Sequence, residues 1–439
     1  MIYEFQLTEQ LESFMMNRRQ FVASGVAAAS GAWGLAQAQG QGITYVGWSQ
    51  DEAANKPTYT AMLEGFRQAY SAKLDVVGYP WGQMQQSVLL RLRSGQPLDV
   101  VQLNERWLPQ FGATGRMTDL NTVFGKGQLA KQIDPGVLLL GDYRGQQLGL
   151  PWTAASIGMV ANAKVLADTA LKSVPKTVDE FLAALRAIKK ANPQSVPYAM
   201  ASKNNNSLSP DYQVWLWTFG GSLFDDKGKV TVNSAAGVRA LGFMADLVKE
   251  GLAAKDIDRP DARRMFVQGQ TCFYNDAPLA RGFARNNSGK GAEFDSQIIA
   301  MPTPVLRAGD VPQSMAWGHL LGSFNGKAGF GAKSPQARLM SHLALDDASQ
   351  LRLFKDLGLF PVTNSALDKL TDDPYVSIWS RAARSAQRDE PSFWNNSAEL
   401  TGIVGEEVQA ALLGQKTPQV AVESMGKRLE AKVAGQTRS

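Results

Sequence analysis

Apolar positions along this chain recur in two rhythms, and their alternation predicts the fold class. Residues 43–48 form a short apolar run that reads as a strand, with Gly47 and Trp48 at its carboxyl end. Met62, Leu63, Phe66, Ala69 and Tyr70 then fall on one face of a helix. Residues 74–77 predict a second strand that runs into Tyr79, Pro80 and Trp81. Met84, Val88, Leu89 and Leu92 line a second helix, which stops at Gly95. Residues 98–103 are nearly all apolar, as a parallel strand buried on both faces requires. This succession opens a doubly wound α/β sheet, in which ligands sit beyond the carboxyl ends of the strands. Those ends carry Trp48, Trp81 and the group Asn104, Glu105 and Arg106.

Residues 145–162 occupy the centre of the pattern. They begin polar and turn-prone, pass through Pro151 and Trp152, and become a run of small and branched apolar residues. Pro151 lacks a backbone donor and holds Leu150 extended, so the chain should run straight here. One reading is a crossover between two α/β lobes with Trp152 near a cleft; the other is an ordinary buried strand with a packing Trp. Alternation resumes afterwards. Thr177 to Glu180 form a capping box ahead of Phe181, Leu182, Leu185 and Ile188. Residues 203–209 are polar and predict an exposed loop leading to Tyr212, Trp215 and Trp217, the two Trp in a helix-like apolar run that reads as core. Residues 271–274 and 298–301 predict two more strands, and Ser334-Pro335 and Thr417-Pro418 each start a helix.

Length and charge narrow the function. A chain of 439 residues exceeds one hydrophobic core. Its 44% hydrophobic and 19% charged residues describe a soluble globular protein, and a net charge of +5 without basic blocks in the folded region argues against a nucleic-acid partner. Cys272 is the one cysteine, so an internal disulfide or a CxxC metal pair is excluded. Near the N-terminus, Arg18-Arg19-Gln20-Phe21 precedes a weakly hydrophobic Ala/Gly-rich run and then Ala36-Gln37-Ala38. This order resembles a twin-arginine export signal over residues 1–38, with Met16 as an alternative start and a mature chain from Gln39. No cysteine adjoins the cleavage point, so the expectation is a soluble periplasmic protein without a lipid anchor.

Catalytic motifs are missing. HExxH and GxSxG are absent, and only His319 and His342 are available for metal or base chemistry. The run Gly322 to Lys327 has three residues between its glycines where a phosphate loop needs four. His319, with no orienting carboxylate in view, reads as a structural residue, and Cys272 as inert core. No cofactor, metal or catalytic residue is assigned. What recurs instead is tryptophan at strand ends and in loops: Trp48, Trp81, Trp107, Trp152, Trp317 and Trp394. Aromatic faces stack on the C–H faces of sugars, while Glu105 and Arg106 supply an acceptor and a donor for hydroxyls.

Segments spread along the chain carry a family resemblance. They include residues 63–70 from Leu63-Glu64-Gly65-Phe66, residues 76–81, and residues 94–101 with Ser94-Gly95-Gln96-Pro97. Others are residues 145–151, 162–166 and 175–181, Gly220-Gly221, residues 266–270, Met301-Pro302 and residues 358–362. In order and spacing they resemble the extracellular solute-binding proteins of ABC importers, in the sugar-binding group of maltose and glycerol-phosphate type. The resemblance implies a periplasmic binding protein type II fold, with two α/β lobes joined by crossing strands around a ligand cleft. Lobe one would comprise residues 42–153 plus 316–362, and lobe two 157–312 plus 363–435. The implied function is capture of a sugar or related polyhydroxy solute by lobe closure and delivery to an ABC permease. The partners would be a carbohydrate-like ligand, the permease subunits and the twin-arginine export machinery, with the protein itself a monomer.

The expected ligand-binding set is Trp48, Trp81, Asn104, Glu105, Arg106 and Trp152 on one wall, with Trp317, and Asn206, Tyr212, Asn275 and Asp276 on the other. Ala155 stands where maltose-type members carry a glutamate, so the ligand would not be held as maltose is. Arg106, Lys203 and Arg281 leave room for an anionic ligand or for ordinary solvated side chains. Two other classes remain: an exported carbohydrate-active lyase or hydrolase using Glu105 or Asp276, and a ligand sensor for a membrane kinase.

Overall fold

Three parallel strands start the chain: β1 (Ile43–Gly47), β2 (Leu74–Gly78) and β3 (Val100–Asn104). They pair in the order β2–β1–β3 and are joined by the helices Lys56–Tyr70 and Trp81–Arg93. The structure, a computed structural model, describes residues 42–438 apart from 170, 172, 205, 206, 327, 328, 371, 372 and 385. The export signal expected over 1–38 and the candidate Asn206 lie outside the described residues. The third strand starts two residues later than its apolar run because Asp99 is used otherwise: its carboxylate accepts from the Thr44 N–H at 3.0 Å.

A small hairpin, β4 (Asp142–Tyr143) and β5 (Gln146–Gln147), precedes β6 (Leu150–Asn162), a strand of 13 residues. Antiparallel to β6 run β7 (Phe273–Asp276), β8 (Ile298–Met301) and β9 (Met315–Gly322). Residues 150–157 of β6 pair with β9, which also pairs with β3; residues 158–162 pair with β7 and β8. The straight central stretch is therefore a crossover, since one strand is shared between two sheet regions and changes partners at Gly158. A Cβ at Gly158 would lie 2.8 Å from the Trp379 ring, so hydrogen is what fits beneath that indole. A further segment runs beside β9, where the Ala316 N–H donates to the Gln387 carbonyl at 2.7 Å and the Gln387 N–H to that of Ser314 at 2.9 Å.

The second lobe packs helices around the far half of β6. Val178–Ala191 opens with the expected capping box, Thr177 accepting from the Glu180 N–H and Glu180 reaching back. Leu208–Thr218 is buried from Leu208 through Trp217, and its polar side chains are paired inside, Asp211 with Arg259 and Gln213 with Asp389. Ala235–Lys249 and Ser397–Leu412 pack against it and Pro418–Val433 packs on both of them, with Phe181, Trp215, Leu241 and Val404 among the fully buried side chains. Cys272 is buried there and burial pushes its thiol up to about 12, so it is an apolar filler rather than a nucleophile. Among the described residues, no helix is long and apolar enough to cross a membrane.

Candidate ligand-binding cleft

Each of the three parallel strands ends at one cavity of about 460 Å³. Trp48 and Ser49 follow β1, Trp81 is the first residue of the helix after β2, and Arg106 lies in the turn after β3. Gln102 on β3 fixes the first of these loops, because its side-chain oxygen accepts from the Trp48 and Ser49 N–H groups, each at 3.2 Å. Trp317 and His319 project from β9, and Glu52, Asn55 and Tyr59 complete this wall. The opposite wall consists of Lys203, Ser207, Asp258, Arg259, Arg263 and Asp276, with Ala277 and Leu279 beside them. Ile157 of the shared strand and Leu357 and Leu359 close the base.

The floor is aromatic. Trp48 meets Trp81 with ring centroids 4.9 Å apart, and His319 packs edge-on against Trp48 at 4.7 Å and tilted against Trp317 at 4.6 Å. Burial, with the Arg106 charge adding to it, lowers His319 to about 3, so the imidazole stays neutral. Its Nδ1 lies 3.3 Å from the Gln102 amide, which fits the structural role expected of it.

The guanidinium groups of the opposite wall arrive with carboxylate partners. Arg263 grips Asp276 through two hydrogen bonds of 2.7 Å; burial opposes its charge, but Asp276 holds it above the ordinary arginine range. Arg259 donates to Asp211 at 2.6 Å and also to the Asn275 carbonyl. Across the cavity, burial raises the Glu52 carboxyl against the pull of Arg263, and its hydrogen-bond donor is Asn55. Among the described residues no group of three or more His, Cys, Asp or Glu side chains is placed to hold a metal ion.

Five of the expected residues line this cavity: Trp48, Trp81, Arg106, Asp276 and Trp317. Five others do not. Trp152 is core, its indole N–H donating to the Leu343 carbonyl at 2.7 Å and its ring supporting Tyr59 from behind at 5.2 Å. Tyr212 is fully buried in the second lobe, on the inward-packed helix Leu208–Thr218. Asn275 sits next to Asp276 on β7, so the pleat turns it away from the cavity and onto the Tyr198 hydroxyl at 2.8 Å. Asn104 caps the turn that holds Arg106, accepting from its Nε at 2.9 Å and donating to the Gly318 carbonyl. Glu105 is buried behind Arg106 and accepts from the Gly318 N–H at 3.0 Å.

Of the other candidates, Trp107 and Trp394 are buried, and Arg281 is paired with Asp373 and stacked 4.3 Å over Tyr375. Neither carboxylate named for catalysis is poised for it, since Glu105 is off the cavity and both Asp276 oxygens are held by Arg263. Sequence reading missed Glu52, Asn55, Tyr59, Ser207, Asp258, Arg259 and Arg263. For the arginines a signal existed, because residues 259 and 263 share a helix and residues four apart share a face.

Glu105 carries a pH prediction. Burial, only partly offset by Arg106, pushes its carboxyl up to about 7, and Oε1 has no hydrogen-bond donor, with Arg106 Nε at 3.6 Å. The folded state thus keeps a proton that the unfolded chain releases near 4.5. Its stabilising share is fully present below that value and is lost as pH rises through about 7, on the order of 1 kcal/mol per pH unit. Denaturant titrations of the wild type and Glu105→Gln at pH 5 and 8 check this. The wild type should lose more stability than the variant on going to pH 8; equal losses would contradict the assignment.

Comparison with known proteins gives a consistent family. A model of the bacterial extracellular solute-binding protein family matches residues 48–325. The diacetylchitobiose binding protein DasA of Streptomyces coelicolor is 26% identical over 147 residues, 34% of this chain and 34% of that protein. The maltotriose-binding protein of Pyrococcus abyssi is 20% identical over 338 residues, 75% of this chain and 70% of that protein. The chain spans about a third of the length of the first curated relatives it matches. Maltose-bound MalE3 of T. maritima superposes with a TM-score of 0.79 at 21% identity, covering 89% of this chain and 99% of that one, and so shares the two-lobe fold. With more than half of its length matched by the family model, the chain belongs to the bacterial extracellular solute-binding proteins.

Proposed function

We propose that this protein captures a sugar or related polyhydroxy solute between its lobes and delivers it to an ABC permease. One observation carries the reading: an aromatic floor faced by carboxylates, amides and guanidinium groups, in a cavity with walls on both sides of the shared strand. Trp48, Trp81 and Trp317 offer faces to ring C–H groups, while Glu52, Asn55 and Ser207 offer hydrogen bonds to hydroxyls. Each hydroxyl left unpaired on entering such a cavity would cost about 1–3 kcal/mol, so a site for polyols must be polar at its rim. The ligands for which the relatives are named, diacetylchitobiose and maltotriose, and the maltose bound to MalE3 belong to this class. Lobe one is taken as 42–153 plus 316–362 and lobe two as 157–312 plus 363–435. Ligand contacts to both lobes shift the population toward closure, and the permease reads the closed outer faces. The location is the periplasm, reached by twin-arginine export, and the working unit is a monomer.

A thermal-shift screen of the chain from Gln39 onward, against sugars, uronates, polyols and glycerol phosphates, tests this. A ligand at 100 times its dissociation constant adds about 2.7 kcal/mol, a rise of a few degrees in Tm at this length. The expected result is a hit among neutral saccharides that is recovered chemically unchanged. Turnover of that hit would replace capture by catalysis.

A further inference from the structure

Beside the main cavity lies a second one of about 180 Å³, and Gly82 and Arg106 belong to the walls of both. Resting on the saccharide reading above, we infer that the cleft takes a saccharide of at least two rings, whose second ring enters this side pocket. The pocket is several times the roughly 30 Å³ share of one water, so a lone structural water does not fill it. Its lining is uncharged apart from Arg106 at the shared edge, and its polar side chains include Gln86, Asn204, Thr401 and Ser397 beside the Trp107 ring. Arg106 is already engaged by Asn104 and Glu105, which leaves the pocket suited to hydroxyls rather than to an anion.

Two features point to a ligand there. The Ser397 hydroxyl is buried, lines the pocket and has no hydrogen-bond partner among the described residues. Trp107 stacks on Trp81 with centroids 4.9 Å apart and planes at 27°, so the aromatic floor of the main cavity continues into the pocket. The walls also come from opposite sides of the cleft. Gly82 and Gln86 lie on the helix Trp81–Arg93, while Ser397 and Thr401 lie on Ser397–Leu412, which packs in the second lobe. A second ring therefore adds a contact between lobes that a monosaccharide cannot make.

Two plugs from opposite walls provide the test. A Cβ at Gly402 meets nothing within 4 Å, so Gly402→Leu adds a side chain at the pocket without backbone strain. Gln86→Trp fills it from the other helix, where Gln86 is exposed. Calorimetric dissociation constants are measured for glucose, maltose and maltotriose, and for N-acetylglucosamine and diacetylchitobiose. In the series that binds, the disaccharide should bind about tenfold or more tighter than the monosaccharide. Both plugs should erase that gain and leave the monosaccharide constant within about twofold. A disaccharide no tighter than its monosaccharide, or a gain that survives both plugs, overturns the side pocket while leaving the main site intact. Absence of binding in both series overturns the saccharide reading itself and the side pocket with it.

Discussion

Arg259→Ala should cost about 3–5 kcal/mol of folding stability, the penalty for removing one partner of a buried ion pair. Arg259 and Asp211 are both buried and meet at 2.6 Å, and the second Asp211 oxygen has no hydrogen-bond partner. Burial already raises the Asp211 carboxyl, and Arg259 is the largest influence opposing it. Without the guanidinium, Asp211 must stay charged in an apolar core or take up a proton, and the Asn275 carbonyl loses its donor as well. The double variant Asp211→Asn/Arg259→Met leaves no buried charge and should recover much of the loss. Chemical denaturation of Asp211→Asn, Arg259→Met and the double variant measures the coupling directly. A loss below about 1 kcal/mol in Arg259→Ala would mean that water reaches the pair from the cavity and that the charge is solvated there.

This pair also shows what the sequence made legible and what it did not. Trp48, Trp81 and Arg106 were foreseeable because the strand–helix alternation predicts parallel strands, and topology alone brings their carboxyl ends to one edge. The crossover was legible as one of two readings, from a long run of small and branched apolar residues entered through Pro151, which holds the chain extended. Which face a side chain takes was not. Asn275 and Asp276 are neighbours on β7 and point to opposite sides, and nothing in Tyr274-Asn275-Asp276-Ala277 states the phase. Trp152 lies at a register shift in the β6–β9 pairing between Pro151 and Thr153, and it ends up behind the cavity wall. The second-lobe wall was hardest, because Lys203, Arg259 and Asp276 come from three distant segments that only tertiary packing unites. Glu52 was hidden for a different reason, since a polar residue before a helix ordinarily reads as surface.

The contact at the base of the cleft predicts a second large effect. Gly282 lies in the helix Leu279–Asn287, which follows β7, and it packs against the end of the helix Asp347–Leu357. A Cβ there would sit 2.2 Å from both the carbonyl carbon and oxygen of Leu357, so no change of rotamer relieves the clash. The two helices must separate, and with them Leu279 and Leu357, which line the cavity. Gly282→Leu should therefore cost about 3 kcal/mol, the upper end of overpacking penalties, and weaken ligand binding by about tenfold or more. Gly402→Leu is the matched control for stability alone, because the same side chain is added to a helix where a Cβ meets open space. It should shift stability by no more than about 1 kcal/mol, and toward greater stability where helix propensity dominates. Denaturation of the two variants, and calorimetry on Gly282→Leu against the wild type, separate the outcomes. If Gly282→Leu matched Gly402→Leu in stability and bound the ligand as the wild type does, the helices would not be in tight contact in solution. If it lost affinity while keeping its stability, the contact would belong to the closed state, and the leucine would hold the cleft open.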